Sequence, residues 1–175
     1  MKDFELIQAA RDMAQGGCAE CHRSICPVDR DAPKGTDCEE YLLESLANRL
    51  IELIPHKVII AGSRSFSDYS TFNMVCKDIF SQIKGFPIII SGDATGADQL
   101  GVKFAAENKI PVIHMPADWK LYGKRAGMIR NRKMLEIADR LIAFWDGASP
   151  GTANMIQIAK EKGIPVHVVE RSVLE

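Results

Sequence analysis

The chain has 175 residues, of which 46% are hydrophobic and 26% are charged, and its formal net charge is -1. This length allows one full domain with a sizeable core and a short extension, but not two full domains. The composition excludes a disordered or fibrous protein, and the charge excludes a general electrostatic attraction to nucleic acid or anionic membranes.

We predict an N-terminal helical extension over residues 1–55 and a second domain over 56–175. The extension begins with charges spread among apolar residues, which is not a signal-peptide pattern, and no stretch is apolar for long enough to cross a membrane. We therefore expect a cytoplasmic protein with no membrane partner. A leucine stripe over residues 36–54 predicts a helix that packs either on the second domain or on another subunit. We also expect a homo-oligomer.

The extension also contains a cysteine cluster with the spacing C-x2-C-x4-C-x11-C, formed by Cys18, Cys21, Cys26 and Cys38. Four thiolates suit tetrahedral coordination, so we predict a structural zinc ion that these side chains bind. The alternatives are a redox pair, free thiols, or His22 in place of one cysteine. Cys76 lies apart in a predicted helix and is expected to be a buried apolar residue.

From Lys57 onward, short apolar runs alternate with segments of helical period. The predicted strands cover residues 57–63, 87–93, 111–117, 140–147 and 164–170, and the predicted helices cover 69–84, 97–108, 124–138 and 152–162. Parallel neighbours need a crossover helix between them. The alternation therefore predicts an α/β fold, a Rossmann-like doubly wound parallel sheet of about five strands.

Loops of small residues follow the first, second and fourth predicted strands, with the sequences GSRSFSD (62–68), SGDATGAD (91–98) and DGASPGT (146–152). Ligands of such sheets bind where the carboxyl ends of the strands meet, so we predict one shared site. In the first loop, Gly62, Ser63 and Arg64 can bind a phosphate or carboxylate, although a plain turn with a solvated arginine fits as well.

The other two loops have different chemistry. Gly151 and Thr152 are predicted to start a helix, capped by Thr152, whose free N–H groups bind an anion; a capped helix without a ligand is the alternative. In the second loop, Gly92 and Gly96 allow close backbone approach. Three aspartates of these loops, Asp93, Asp98 and Asp146, are expected to accept hydrogen bonds from sugar hydroxyls. The alternatives are that Asp98 only caps its helix and that Asp146 stays solvated.

Residues 119–135 form a basic segment that has no acidic residue. Its cations are Lys120, Lys124, Arg125, Arg130, Arg132 and Lys133. Trp119 and Tyr122 offer surfaces on which a base can stack. Arg130, Asn131 and Met134 lie on one side of the predicted helix. We expect Lys124 and Arg130 to close over the ligand's charge, whereas the alternative is a solvated helix face.

The motifs GSRSFSD, SGDATGAD, ADWKLYGKRAGMIRNRKM, FWDGASPGT and GIPVHVV, in this order, resemble the YspA-like branch of the SLOG superfamily. That superfamily includes the DNA-processing protein DprA and phosphoribohydrolases of the Lonely Guy type. The resemblance covers about residues 57–169 and implies a Rossmann-like domain that binds or senses a nucleotide or a nucleotide-derived ligand.

The resemblance also implies two alternatives: a hydrolase that cleaves the N-glycosidic bond of a nucleotide, and a protein that binds single-stranded DNA. Lonely Guy enzymes carry P-G-G-x-G-T-x-x-E, whereas Met155 stands where that glutamate would fall. The candidate catalytic acid or base is then Asp93 or Asp98.

Overall fold

The computed structural model describes residues 38–170, with side chains described from Glu40 onward. The chain divides into two compact units after Ile54, and each is described by itself. In the first unit, helix α1 (Cys38–Leu53) confirms the helix predicted from the leucine stripe. No helix among the described residues is both long and apolar enough to span a lipid bilayer.

The second unit contains one parallel sheet, formed by β1 (Pro55–Gly62), β2 (Phe86–Ser91), β3 (Val112–His114), β4 (Arg140–Trp145) and β5 (Val166–Glu170). The five strands lie in the order β3-β2-β1-β4-β5. The chain therefore adds β2 and β3 on one side of β1 and then crosses to add β4 and β5 on the other. The predicted Rossmann-like fold is confirmed.

Helices cover both faces of this sheet. They are α2 (Tyr69–Ser81), α3 (Ala97–Glu107), α5 (Ala126–Ile137) and α6 (Pro150–Glu161), and a short helix, α4 (Trp119–Tyr122), precedes α5 and has no buried residue. Val58 and Ile60 point into a core shared with α2 and α3, where Phe72 stacks on Phe144 at a centroid distance of 4.5 Å. The next residue, Ile59, points into the opposite core, shared with α5 and α6. Because both faces are covered, the strands are apolar runs without alternation.

Most strands and helices begin or end within a few residues of the predicted bounds, and the third strand and the basic segment differ more. The third strand, which pairs with β2 alone, spans only Val112–His114, and Pro116, which has no N–H to donate, follows soon after it. The basic segment starts with the unpredicted α4, whose Asp118 accepts a hydrogen bond from the Leu121 N–H at 3.0 Å. A short 3₁₀ turn (Gly123–Arg125) follows before α5 begins.

Cys76 is fully buried in the α2 and α3 core, as predicted. Desolvation raises the pKa of its thiol to about 12, so it stays neutral and packs as an apolar group.

Candidate ligand-binding site

A cavity of about 530 Å³ lies at the carboxyl ends of the strands. Its position coincides with the point where the strand order reverses, since β1 pairs with β2 on one side and β4 on the other. Most of the predicted site residues line it: Gly62, Arg64, Asp98, Trp119, Lys124, Arg130, Asn131, Asp146, Gly151 and Thr152. The predicted residues that do not line it are Ser63, Gly92, Asp93 and Gly96.

Ser63 lies behind the cavity wall and is 1% exposed. Its N–H donates to the Phe144 carbonyl at 2.8 Å, and its hydroxyl oxygen accepts from the Asp146 N–H at 3.1 Å. Both polar groups therefore join the loop after β1 to β4 and the loop that follows it, and a contact between the Ser63 hydroxyl and a ligand stays a prediction from sequence.

Gly62 and Gly96 allow the three loops to pack closely. A Cβ atom on Gly62 would lie 2.3 Å from the Phe144 carbonyl oxygen, and one on Gly96 would lie 2.3 Å from the Ser63 carbonyl oxygen. Gly96 also has a φ of +79°, a conformation that side chains disfavour. Of the two, Gly62 also lines the cavity, whereas Gly96 brings the second loop against the backbone of Arg64.

The Asp146 carboxylate accepts hydrogen bonds from the backbone of its own loop, the one that follows β4. Its Oδ1 accepts hydrogen bonds from the Ala148 N–H at 3.0 Å and the Ser149 N–H at 2.8 Å. The hydrogen bond from Ser149 is the main reason that the pKa of Asp146 falls to about 2, so the carboxylate is charged at neutral pH. Its Oδ2 faces the Ser65 hydroxyl at 3.4 Å, so the carboxylate has partners within the protein although it is partly exposed to solvent.

Helix α6 begins earlier than predicted. Ser149 precedes the helix and Pro150 is its first residue, so Thr152 lies inside the first turn and does not cap it. The Thr152 hydroxyl donates to the Ser149 Oγ at 3.1 Å. Because N–H groups of a first turn have no acceptor within the helix, Gly151 and Thr152 still present donors at the cavity.

Asp98 and Arg130 form an ion pair in the cavity wall, with 3.5 Å between Asp98 Oδ2 and Arg130 Nη1. Asp98 Oδ2 also accepts from the Ala94 N–H at 3.3 Å. Asp98 follows the residue that starts α3 and does not cap that helix, because Gly96 occupies the capping position. Burial raises the pKa of the Asp98 carboxyl, while the Arg130 charge opposes that rise.

Gly92 provides the space that the Arg130 side chain occupies. A Cβ atom on Gly92 would lie 1.1 Å from Arg130 Nη1. The predicted close approach at Gly92 is therefore to a side chain of the same protein, and Gly92 itself does not line the cavity.

Asp93 lies outside the cavity lining, contrary to the predicted role in the site. Its backbone has a φ of +56°, and its Oδ1 lies 2.7 Å from His114 Nδ1 at the end of β3. Asp93 is thus paired at the sheet edge and is the weaker of the two predicted catalytic candidates.

The basic segment forms the remaining wall. Trp119 lines the cavity with 54% of its surface exposed, and its ring edge lies 3.5 Å from the position of a Cβ atom on Gly127. Lys124 is exposed at the same wall. Asn131 is buried, and its Nδ2 donates to the Gly151 carbonyl at 3.3 Å, which ties α5 to the start of α6.

Sequence reasoning did not assign the remaining cavity residues, namely Ala61, Ser65, Ala94, Gly127, Met128, Met134, Ser149, Pro150 and Met155. The spacing of residues along α5 could have identified two of them, because Gly127 and Met134 lie on the same face of this helix as the predicted site residue Asn131. Met155 is 2% exposed and contributes an apolar surface where Lonely Guy enzymes carry glutamate.

The predicted zinc ligands cannot be placed in this site. Cys18, Cys21 and Cys26 lie outside the described residues, as does the side chain of Cys38. Within residues 40–170, no group of three or more potential ligand side chains could hold a metal ion. The zinc site of the extension stays a prediction from sequence.

The fold and this cavity define a Rossmann-like α/β protein with a cavity where the strand order reverses. The model of the YspA, cpYpsA-related SLOG family matches residues 56–122. The Gene 61 protein of Mycobacterium phage D29 is 34% identical over 117 residues, which cover 63% of this chain and 93% of the phage protein. The chain belongs to the YspA, cpYpsA-related SLOG family, which confirms the resemblance inferred from the loop motifs.

A solved structure of DNA processing protein A shares the fold. The X-ray structure of DprA from Streptococcus pneumoniae aligns with a TM-score of 0.55 and 14% identity, covering 98% of this chain and 83% of that one. DprA from Helicobacter pylori, whose structure concerns a single-stranded DNA binding mode, aligns with a TM-score of 0.46 and 19% identity, covering 69% and 67% of the two chains.

Proposed function

We propose that this domain binds a nucleotide or a nucleotide-derived ligand in the cavity at the strand ends. Membership of the SLOG family supports a nucleotide- or nucleic acid-binding role in general terms. The observation that carries the specific proposal is the first turn of α6, which lines the cavity together with two cationic side chains, Arg64 and Lys124.

The phosphate would bind at the start of α6. Pro150 has no N–H, so the available donors are the N–H groups of Gly151 and Thr152, at the positive end of the helix dipole. A Cβ atom on Gly151 would meet no atom within 4 Å, so the space beside these donors is open. Arg64 and Lys124 add positive charge at the same cavity.

The base would stack on Trp119. An indole ring that is half exposed and lines a cavity is a suitable stacking surface, because every nucleobase has an aromatic face. Met128, Met134 and Met155 add apolar lining without hydrogen-bonding groups. The sugar hydroxyls would contact Asp98, whereas Asp93 is paired with His114 at the sheet edge.

Isothermal titration against a panel of mono-, di- and cyclic nucleotides tests this proposal. Trp119→Ala is expected to weaken binding about tenfold by loss of stacking. Lys124→Gln is expected to weaken it about fivefold by loss of one exposed charge. Lys77→Gln, which neutralises an exposed lysine on α2, is the matched control. If the folded protein binds no nucleotide, the proposal is wrong.

A hydrolase is the second candidate function, and Asp98 is the observation that favours it. A buried carboxyl with a raised pKa that lines a cavity is a suitable proton donor or acceptor. This candidate predicts that incubation with the nucleotide panel releases free base or phosphate. Asp98→Asn would then abolish turnover, and turnover that survives in this variant would exclude Asp98 as the acid or base.

Single-stranded DNA binding is favoured by the surface of α4 and α5. This surface presents five exposed cations, namely Lys120, Lys124, Arg125, Arg132 and Lys133, beside the exposed rings of Trp119 and Tyr122. It predicts oligonucleotide binding that weakens steeply with salt. Combined Lys124→Gln and Arg132→Gln would reduce both the affinity and the salt dependence, whereas Lys160→Gln, at the far end of α6, would leave both unchanged.

A further inference from the structure

The Arg130 side chain occupies a fixed place in the cavity wall. Only 16% of it is exposed, and its Nη1 fills the space that residue 92 leaves by being glycine. An arginine that is largely removed from water needs partners for its donors, because an unpaired buried polar group is unfavourable. A donor of Arg130 that has no partner in the protein would therefore indicate a place where a ligand can bind.

Arg130 has more donors than partners. A guanidinium carries five N–H donors, and the side-chain hydrogen bond found for Arg130 joins Nη1 to Asp98 Oδ2 at 3.5 Å. Within the part of the chain that the structure describes, Arg130 Nε is buried and has no hydrogen-bond partner. The edge formed by Nε and Nη2 is the edge that commonly binds both oxygens of a phosphate or carboxylate.

Asp98 orients the Arg130 guanidinium but uses only one of its nitrogen atoms, Nη1. The Asp98 oxygen that contacts Nη1 also accepts from the Ala94 N–H at 3.3 Å, so its hydrogen-bonding capacity is shared. An arginine held by a carboxylate on one nitrogen can bind a second anion through its other edge. Asp98 is then a positioning residue for Arg130.

Arg130 and its neighbour Asn131 point toward different walls of the cavity. Arg130 contacts Gly92, which follows β2, and Asp98 in the first turn of α3, whereas Asn131 donates to the Gly151 carbonyl at the start of α6. Consecutive residues of a helix lie about 100° apart around its axis. The Arg130 guanidinium is therefore a separate anchor from the anion-binding turn of α6.

We propose that Arg130 forms a second anion subsite, and that the ligand carries two anionic groups, as a nucleoside diphosphate does. One group would bind the first turn of α6, and the other would bind the Nε and Nη2 edge of Arg130. This inference rests on the proposed nucleotide-binding function and narrows its ligand class to compounds with a second phosphate or a carboxylate.

Calorimetric titration with the four common ribonucleoside monophosphates and their diphosphates tests the second subsite. At least one diphosphate is expected to bind the wild-type protein about tenfold more tightly than its monophosphate, the effect of one charge-assisted pair. Arg130→Gln is expected to bring this ratio close to one while the monophosphate affinity changes little. Lys160→Gln, remote on the exposed side of α6, is expected to keep the wild-type ratio.

Gly92→Ala provides a second variant that keeps the Arg130 charge and displaces its side chain. A Cβ atom there would overlap Nη1, so this variant is expected to lower the ratio as Arg130→Gln does, while circular dichroism verifies the fold. Equal weakening of monophosphate and diphosphate by Arg130→Gln, or equal wild-type affinities for the two, would overturn the second subsite alone. Binding of neither class would overturn the proposed function and this inference together.

Discussion

The Ser63 hydroxyl accepts a hydrogen bond from the backbone N–H of Asp146 at 3.1 Å, across the point where the strand order reverses. This contact joins the loop after β1 to the loop after β4, and the Ser63 N–H reinforces it by donating to the Phe144 carbonyl at 2.8 Å. These two hydrogen bonds therefore hold together the loops that supply Arg64 and Asp146 to the cavity.

Ser63→Ala is expected to destabilise the protein by about 1–2 kcal/mol, because it removes the acceptor of the partly buried Asp146 N–H. Urea denaturation followed by circular dichroism measures this loss. Ser67→Ala, at an exposed position of the same loop, is the control and is expected to change stability by less than about 0.5 kcal/mol. Equal stability of the two variants would show that the Ser63 hydroxyl does not join the loops.

Gly96→Ala is expected to destabilise the protein by about 3 kcal/mol or more, because its Cβ atom would lie 2.3 Å from the Ser63 carbonyl oxygen at a φ of +79°. Gly163→Ala is a matched control, since Gly163 has a φ of +70° but open space around it. Backbone strain alone should cost the control about 1 kcal/mol. Similar losses in both variants, measured by urea denaturation, would contradict the loop contact.

The fold could be predicted because the signals for it are local. Residues 57–62 form an apolar run, and a run of this kind is expected of a strand that helices cover on both faces. The shared site then follows from topology, since all carboxyl ends of a parallel sheet lie at one edge. Even the unpredicted α4 depends on local signals, its cap at Asp118 and its end at Gly123, which lie within a short segment.

The direction of each polar side chain could not be predicted, because it depends on partners distant in sequence. Asp93 pairs with His114, 21 residues away, and this contact lies outside the cavity lining. Asp98 pairs with Arg130, 32 residues away, and Ser63 bonds to Asp146, 83 residues away. No spacing rule within a loop indicates such contacts, so three aspartates that looked equivalent in sequence have three different environments.

The cysteine cluster of the extension is predicted to bind one zinc ion per chain through Cys18, Cys21, Cys26 and Cys38, because four thiolates complete a tetrahedral site. Elemental analysis of the full-length protein is expected to find about one equivalent of zinc, which Cys21→Ser removes. Cys76→Ala is expected to retain the metal, since the buried Cys76 thiol has a pKa of about 12 and stays protonated. A zinc-free wild-type protein would contradict this prediction.

Asp146 is expected to make the stability of the folded protein depend on pH between about pH 4 and pH 2. Its folded pKa is about 2, against an ordinary value of 3.8, so the ionised carboxylate stabilises the folded state. This contribution is complete above about pH 4 and is lost as the pH falls from there toward 2. Asp146→Asn should therefore lower the melting temperature near neutral pH, and its curve should converge with that of the wild type near pH 2.

Calorimetric melting temperatures across this pH range test the sign of the Asp146 contribution. Asparagine keeps an oxygen that can accept from the Ser149 N–H, so the variant removes the charge and preserves the turn. Glu136→Gln, an exposed carboxylate on α5, is the control for a change of net charge alone. A difference between wild type and Asp146→Asn that grows on acidification would mean that the loop destabilises the ionised carboxylate, in contradiction to the hydrogen bonds that it accepts.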